Sequence, residues 1–210
     1  MASSPSTASP PISATDPSFK LPPALVDFVV RRRILLSILL FGAMIGEDVA
    51  FGHKPRDLFD YHDAISMLGV GLIVGGLALR SWATGILHKN SELATTGPYR
   101  LIRNPLYVGS FAMMFGFCAL LGDLTNVAFV VGPVFLMYVL KVQQEERYLS
   151  THFPAPWVEY SRQTPRFLPR LRRVSLAADW RFSQWLDSRE YQALGTTLLA
   201  FVALWAWRTL

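Results

Sequence analysis

Two arginines, two tyrosines and an Asn-Pro step crowd the stretch GPYRLIRNPLYVG, residues Gly97 to Gly109, at the mouth of an apolar run. Asn is a strong helix N-cap and Pro is favoured at the first helical position, so a helix is predicted to begin at Pro105. The free N–H groups and positive dipole end of such a helix can hold an anion, and Arg100 and Arg103 would reinforce that field. A second polar block, QQEERYLSTHF from Gln143, carries the adjacent carboxylates Glu145 and Glu146 where another apolar run ends. Carboxylates accept from hydroxyl or amino groups, and the faces of Tyr99 and Tyr107 attract cations. One pocket built from both blocks would offer a basic helix start to an anionic group, and acids with aromatic rings to a cationic or hydroxyl-bearing one.

The elements that must bring these blocks together are apolar segments. The chain of 210 residues is 51% hydrophobic with a formal charge of +5. Its apolar residues fall into blocks nearly free of charge that approach the roughly 20 residues needed to cross a bilayer. Five such blocks are read as spans: Ile34–Phe51, Ala64–Leu87, Leu106–Leu121, Thr125–Leu140 and Ala193–Trp207, the last three short. The predicted fold is all-α, an integral membrane bundle of about five transmembrane helices with a cytoplasmic C-terminal segment forming the pocket. The third and fourth spans, separated only by Gly122, Asp123 and Leu124, are antiparallel, so the Glu145-Glu146 block returns to the face where the third began.

With five spans, the N-terminus and the 88–105 and 141–192 segments share one side, which carries 16 of the 20 Lys and Arg residues. The positive-inside rule makes that side cytoplasmic. Beside membrane spans, its basic residues and interleaved Trp157, Trp180 and Trp185 suit anionic headgroups rather than nucleic acid. Residues 1–30, rich in Ser, Pro and Ala, read as a disordered tail preceding a membrane domain over 31–210. Arg31–Arg33 followed by Ile34–Gly46 imitates a signal peptide, but Glu47-Asp48 stands where small residues should guide cleavage.

The two polar blocks, together with WVEYSRQTPRFLP, resemble the integral-membrane methyltransferases that include isoprenylcysteine carboxyl methyltransferases and phospholipid N-methyltransferases. That pattern runs G-P-Y, R-H-P-x-Y-x-G, E-E-x-x-L-x-x-x-F-G, a tyrosine pair and P-R-x-x-P, and the match covers residues 88–170. The chain departs from it at Asn104, where many members have His, at Pro154 in place of Gly, and at Trp157 in place of a tyrosine. The resemblance implies S-adenosylmethionine as cofactor and a lipophilic or lipid-like acceptor. It places Gly97, Tyr99, Arg103, Asn104, Tyr107, Glu145 and Glu146 around the cofactor, and Arg166 and Glu145 at the reaction. The cofactor carboxylate would suit Arg103 and the Asn104-Pro105 helix start, with Glu145 or Glu146 on ribose hydroxyls or the amino group. Arg166 would orient an acceptor carboxylate or phosphate, or anchor a headgroup; Glu145 or Glu146 would take the proton of an ammonium acceptor. A sterol-type membrane reductase with a nicotinamide cofactor and a non-catalytic membrane scaffold are the competing readings.

Four further features carry weaker expectations. Gly71 and Gly75, with Gly69 and Gly76 beside them, and Gly42 and Gly46 stand at GxxxG spacing, which predicts close packing of the first two spans. Arg80, near the end of the second span, is expected to snorkel to the interface. His53, Asp57, Asp60, His62 and Asp63 read as a solvated loop rather than a metal site, for want of paired ligand spacing. Cys118, the single cysteine, is expected in the core.

Overall fold

The computed structural model describes residues 39, 42–43, 45–87, 92–122, 124–169 and 178–209, which leaves the expected tail, much of the first half of the first span and Arg170–Arg173 outside the described residues. Among the described residues all regular structure is helical.

Asp63 starts the first long helix, α1 (Ala64–Thr84). Its carboxylate accepts from the Ile65 N–H and the Ser66 hydroxyl, each at 3.0 Å, filling the N-cap role. The Arg56 guanidinium, 2.7 Å away, holds this carboxyl down at about 2. Helix α2 (Pro105–Leu121) begins at the predicted proline and ends at Gly122. A φ of 81° puts Gly122 in the left-handed region, where its N–H reaches the Cys118 carbonyl. Helix α3 (Leu124–Phe129) runs through one π-helical turn, Val130–Val134, into α4 (Phe135–His152). Pro133 lies inside that turn. Lacking an N–H and crowding the preceding carbonyl, it cannot sit in an unbroken α-helical ladder, and the widened turn accommodates it. Pro154 opens α5 (Pro154–Gln163) at its first position, so the chain bends at Phe153. Two more helices follow, α6 (Phe182–Asp187) and α7 (Glu190–Thr209).

Among the described residues, two helices are long and apolar enough to cross a membrane: α1, and the continuous helix Asn126–His152 of 27 residues. Helix α2 is apolar but shorter, at 17 residues. The expected fifth span lies inside α7. Large apolar side chains face outward on α1 (Leu68, Val74) and on α7 (Leu199, Val202). An outward apolar face on a helix is what a hydrocarbon surround favours and water does not.

Among the described residues, helices α1 and α2 share the most extensive packing, and the glycines explain their close approach. A Cβ on Gly76 would lie 2.5 Å from the Gly109 carbonyl oxygen, and one on Gly116 would lie 2.6 Å from that of Gly69. Gly69 and Gly76 are seven residues apart, as are Gly109 and Gly116, so two matched small steps meet in antiparallel register. The expectation that Gly71 and Gly75 would mark the contact is corrected: open space surrounds both, as it does Gly42 and Gly46. At about 100° per residue, Gly71 lies some 200° round the helix from Gly69 and faces away. Ile73, Cys118, Leu120, Leu121 and Leu204 form the core between α1, α2 and α7, with Cys118 buried as expected.

Arg80 is held by protein partners. Its guanidinium makes a two-pronged pair with Glu190, at 2.8 and 2.9 Å, and donates to the Ser110 hydroxyl at 2.5 Å. Glu190 is 2% exposed, so the partner that holds Arg80 inward is the first residue of α7, supplied by chain 110 positions away. On the opposite side, Asn126 donates to the buried Asp48 carboxylate at 3.0 Å and ties helical residues 45–50 to the long helix.

Candidate active site

The start of α2 is held from two directions. The Arg103 N–H donates to the Pro165 carbonyl at 2.8 Å, and the Asn104 side-chain amide donates to the Arg166 carbonyl at 3.3 Å. The segment Thr164–Arg166, just beyond α5, thus lies against Arg103-Asn104. Tyr160, on α5, donates its hydroxyl to the Tyr99 carbonyl at 2.8 Å and fastens the GPYR turn (Gly97–Arg100) to the same helix.

Glu146 stands at the centre. It is 7% exposed, and its Oε1 accepts from the Asn104 amide at 3.1 Å and lies 3.4 Å from the Arg103 guanidinium. Its Oε2 accepts twice from Arg166, at 2.7 and 3.0 Å. A buried carboxylate requires such compensation, and two guanidinium groups close together require a carboxylate between them. Asn104 occupies the N-cap position without capping, since its side chain makes no bond to the helix N–H groups. The amide nitrogen, a donor, faces two oxygen acceptors, so it links Glu146 to the 164–166 segment instead. Asn104 therefore serves as a neutral donor at the position where the resemblance led to an expectation of His.

Arg103 is flanked by Trp157, whose ring centroid lies 5.7 Å from the guanidinium carbon. The substitution of Trp for the expected tyrosine supplies a larger face for this cation. Two buried donors nearby have no acceptor, the Arg103 Nε and the Tyr99 hydroxyl. Burial pushes the Tyr99 phenol far above its ordinary ionisation range, with the Tyr160 ring and the Glu145 carboxylate adding to the effect. Tyr99 therefore stays protonated and available to donate. Burial likewise raises the Tyr160 phenol, partly offset by Arg103.

The other expected residues are distributed around this cluster. Gly97 adopts a φ of 56°, and a Cβ there would lie 2.6 Å from the Ile86 side chain, so both conformation and space call for glycine. Tyr107 packs edge-on against Tyr138, with ring centroids 5.5 Å apart. Glu145 points away from Glu146, is paired with Lys141 at 3.4 Å, and is half exposed on the side from which it acts on Tyr99. The two adjacent acids are thus separated by the helix turn: Glu146 joins the arginines and Glu145 does not. Trp157 and the carbonyls of Pro165 and Arg166 were not among the expected site residues. The P-R step marks the segment, but no sequence pattern shows that its backbone oxygens would reach Arg103 and Asn104.

A basic, aromatic-walled cluster with a protonated phenol and an unpaired guanidinium N–H can bind a ligand that bears oxygen acceptors. Residues 64–155 match the phospholipid methyltransferase family. The chain belongs to the family of membrane methyltransferases that contains the phospholipid and isoprenylcysteine enzymes. Among its curated relatives, the cobalt-zinc-cadmium resistance protein CzcN of Cupriavidus metallidurans is 34% identical over 161 residues, covering 75% of this chain and 73% of that protein. The nickel-cobalt-cadmium resistance protein NccN of Alcaligenes xylosoxydans xylosoxydans is 32% identical, over 74% and 73% of the two chains. Protein-S-isoprenylcysteine O-methyltransferase B of Arabidopsis thaliana is 28% identical, over 65% and 71%. No solved structure matches the chain. Among the described residues of this membrane methyltransferase, no three His, Cys, Asp or Glu side chains converge as metal ligands.

Proposed function

We propose that this membrane methyltransferase uses S-adenosylmethionine and methylates a lipophilic, lipid-like acceptor at the membrane–cytosol interface, through a multi-pass bundle of about five spans whose Arg103–Glu146 cluster faces the cytoplasm. The observation that carries the cofactor reading is two buried donors without acceptors, the Arg103 Nε next to the already committed Glu146 carboxylate and the Tyr99 hydroxyl on the neighbouring GPYR turn. Donors of that kind fit the carboxylate of an amino-acid-bearing cofactor. The concentration of Lys and Arg in the segments flanking the cluster supports its cytoplasmic side.

In this reading Arg103 and Tyr99 hold the carboxylate, and Trp157 keeps the Arg103 plane in place. Glu146 is a positioning residue: it orients Arg103, Asn104 and Arg166 without needing to touch the reacting atoms. Arg166, bound to Glu146 and 36% exposed, would orient an acceptor. Glu145, half exposed and paired with Lys141, would take a proton from an acceptor that carries one. When bound, S-adenosylmethionine supplies an electrophilic methyl whose bond to sulfur breaks as the acceptor lone pair forms the new one. The chain's task is alignment and exclusion of water.

Calorimetric titration of the detergent-purified full chain with S-adenosylhomocysteine tests this. Saturable binding that is lost in Arg103→Ala is expected. Folded protein that fails to bind it overturns the cofactor assignment, and binding of a nicotinamide cofactor alone would favour a reductase.

A further inference from the structure

A cleft of about 550 Å³ runs between α2 and α7, with Ile45 also on its wall and Arg80 contributed by α1. Its walls are mostly apolar, with Met113, Phe117, Leu204 and Trp207 among them; of the described residues that line it Arg80 alone is charged, standing with Ser110 at one end, and Thr196 and Thr197 add hydroxyls along α7. From Ser110 to Leu121 the cleft follows 11 residues of α2, about 17 Å at 1.5 Å per residue. An apolar cavity of this size with a few converging polar groups is the usual form of a small-molecule site. Charge placed within a spanning helix is costly, and is retained where it meets a partner or a ligand.

Arg80 has both. Glu190 and Ser110 engage three of its five N–H groups, so two remain for an oxygen acceptor presented from the cleft. The Ser110 hydroxyl itself donates to the Leu106 carbonyl at 2.9 Å, which fixes its rotamer. Glu190 neutralises Arg80 and holds its plane, so this end is a directed donor rather than a bare cation.

We propose that this cleft binds a single-chain lipophilic molecule, with its oxygen-bearing end on Arg80 and its chain extended towards Trp207. Glu190 is the positioning residue for Arg80. Ser110 lies six residues beyond Asn104, about 9 Å of helix rise, so the polar end is held close to the level of the Arg103–Glu146 cluster. That the occupant is the methyl acceptor rests on the proposed methyl transfer; the cleft's affinity for it does not.

Trp207 provides the assay. The detergent-solubilised full chain is titrated with a long-chain fatty acid brominated near its methyl end, and with a trimethylammonium amphiphile of the same brominated chain, while tryptophan fluorescence is followed. The fatty acid is expected to quench saturably and the ammonium compound at least tenfold more weakly, because it offers no acceptor to Arg80. Trp207→Phe should remove most of the quenching. Ala200→Phe, which fills the cleft wall without touching the ion pair, should weaken the fatty acid tenfold or more, and Arg80→Gln should abolish the preference between the two heads. Equal quenching by both amphiphiles, or undiminished quenching in folded Ala200→Phe, would overturn the proposal. Calorimetric binding of S-adenosylhomocysteine to the same preparations is read separately: its absence would sink the cofactor assignment and leave lipid binding in the cleft standing.

Discussion

Replacing Glu146 by Gln keeps the shape of the side chain and removes its charge. The carboxylate compensates Arg103 and Arg166 and accepts from Asn104, with every contact at 3.4 Å or less. Removing one member of a buried ion pair typically costs about 3–5 kcal/mol, because the partner is left uncompensated. Arg166 is 36% exposed, so water takes over part of its solvation. With that discount we expect a loss of roughly 2–3 kcal/mol, or a fall in Tm of about 5–10 °C for a chain of this size. Affinity for S-adenosylhomocysteine should fall more distinctly. Arg103 is no longer oriented, and losing one or two charge-assisted hydrogen bonds corresponds to about 10- to 100-fold in Kd. Glu145→Gln is the internal control for stability, since its exposed pair with Lys141, one helical turn away, is worth only about 0.3–0.5 kcal/mol. Thermal unfolding and calorimetry on the two variants side by side supply the measurement. A Glu146→Gln protein whose Tm and Kd both match the wild type would refute the idea that this carboxylate organises the site.

Tyr99→Phe should separate stability from binding. The buried hydroxyl has no partner, so its removal leaves Tm unchanged or raises it by a degree or two, while S-adenosylhomocysteine binds roughly five- to tenfold more weakly for want of one donor; equal affinity would remove Tyr99 from the cofactor site. Gly116→Ala should cost about 1–3 kcal/mol, because its Cβ would collide with the Gly69 carbonyl and α1 must retreat. Gly71→Ala, in open space on the far face, should be neutral or stabilising by about 0.5–1 kcal/mol, and thermal unfolding of the two in one detergent checks the contrast.

What could be read before any coordinates was the chemistry that depends on neighbours in sequence. Pro105, at the head of an apolar run, determines where α2 begins, because proline geometry acts within one turn. Gly122 ends α2 for the same local reason. The family resemblance, carried by contiguous motifs, was equally legible, and so was the return of the 143–152 segment to the start of α2, which follows from two antiparallel helices joined by a short turn.

Tertiary structure alone decided which members of each set meet. Helix phase separated Glu146 from Glu145, about 100° apart on one helix, and turned the first to the arginines and the second to Lys141. Phase also made Gly69 and Gly76 the contact with α2, where residue spacing pointed to Gly71 and Gly75. Arg80 looked like a charge seeking the interface because its partner, Glu190, lies 110 residues away, and a pairing over that distance leaves no local trace. Asn104 had the residue type of a cap and became a cross-link: its amide nitrogen donates to the buried Glu146 carboxylate and the Arg166 carbonyl, and its side chain makes no bond to the helix N–H groups.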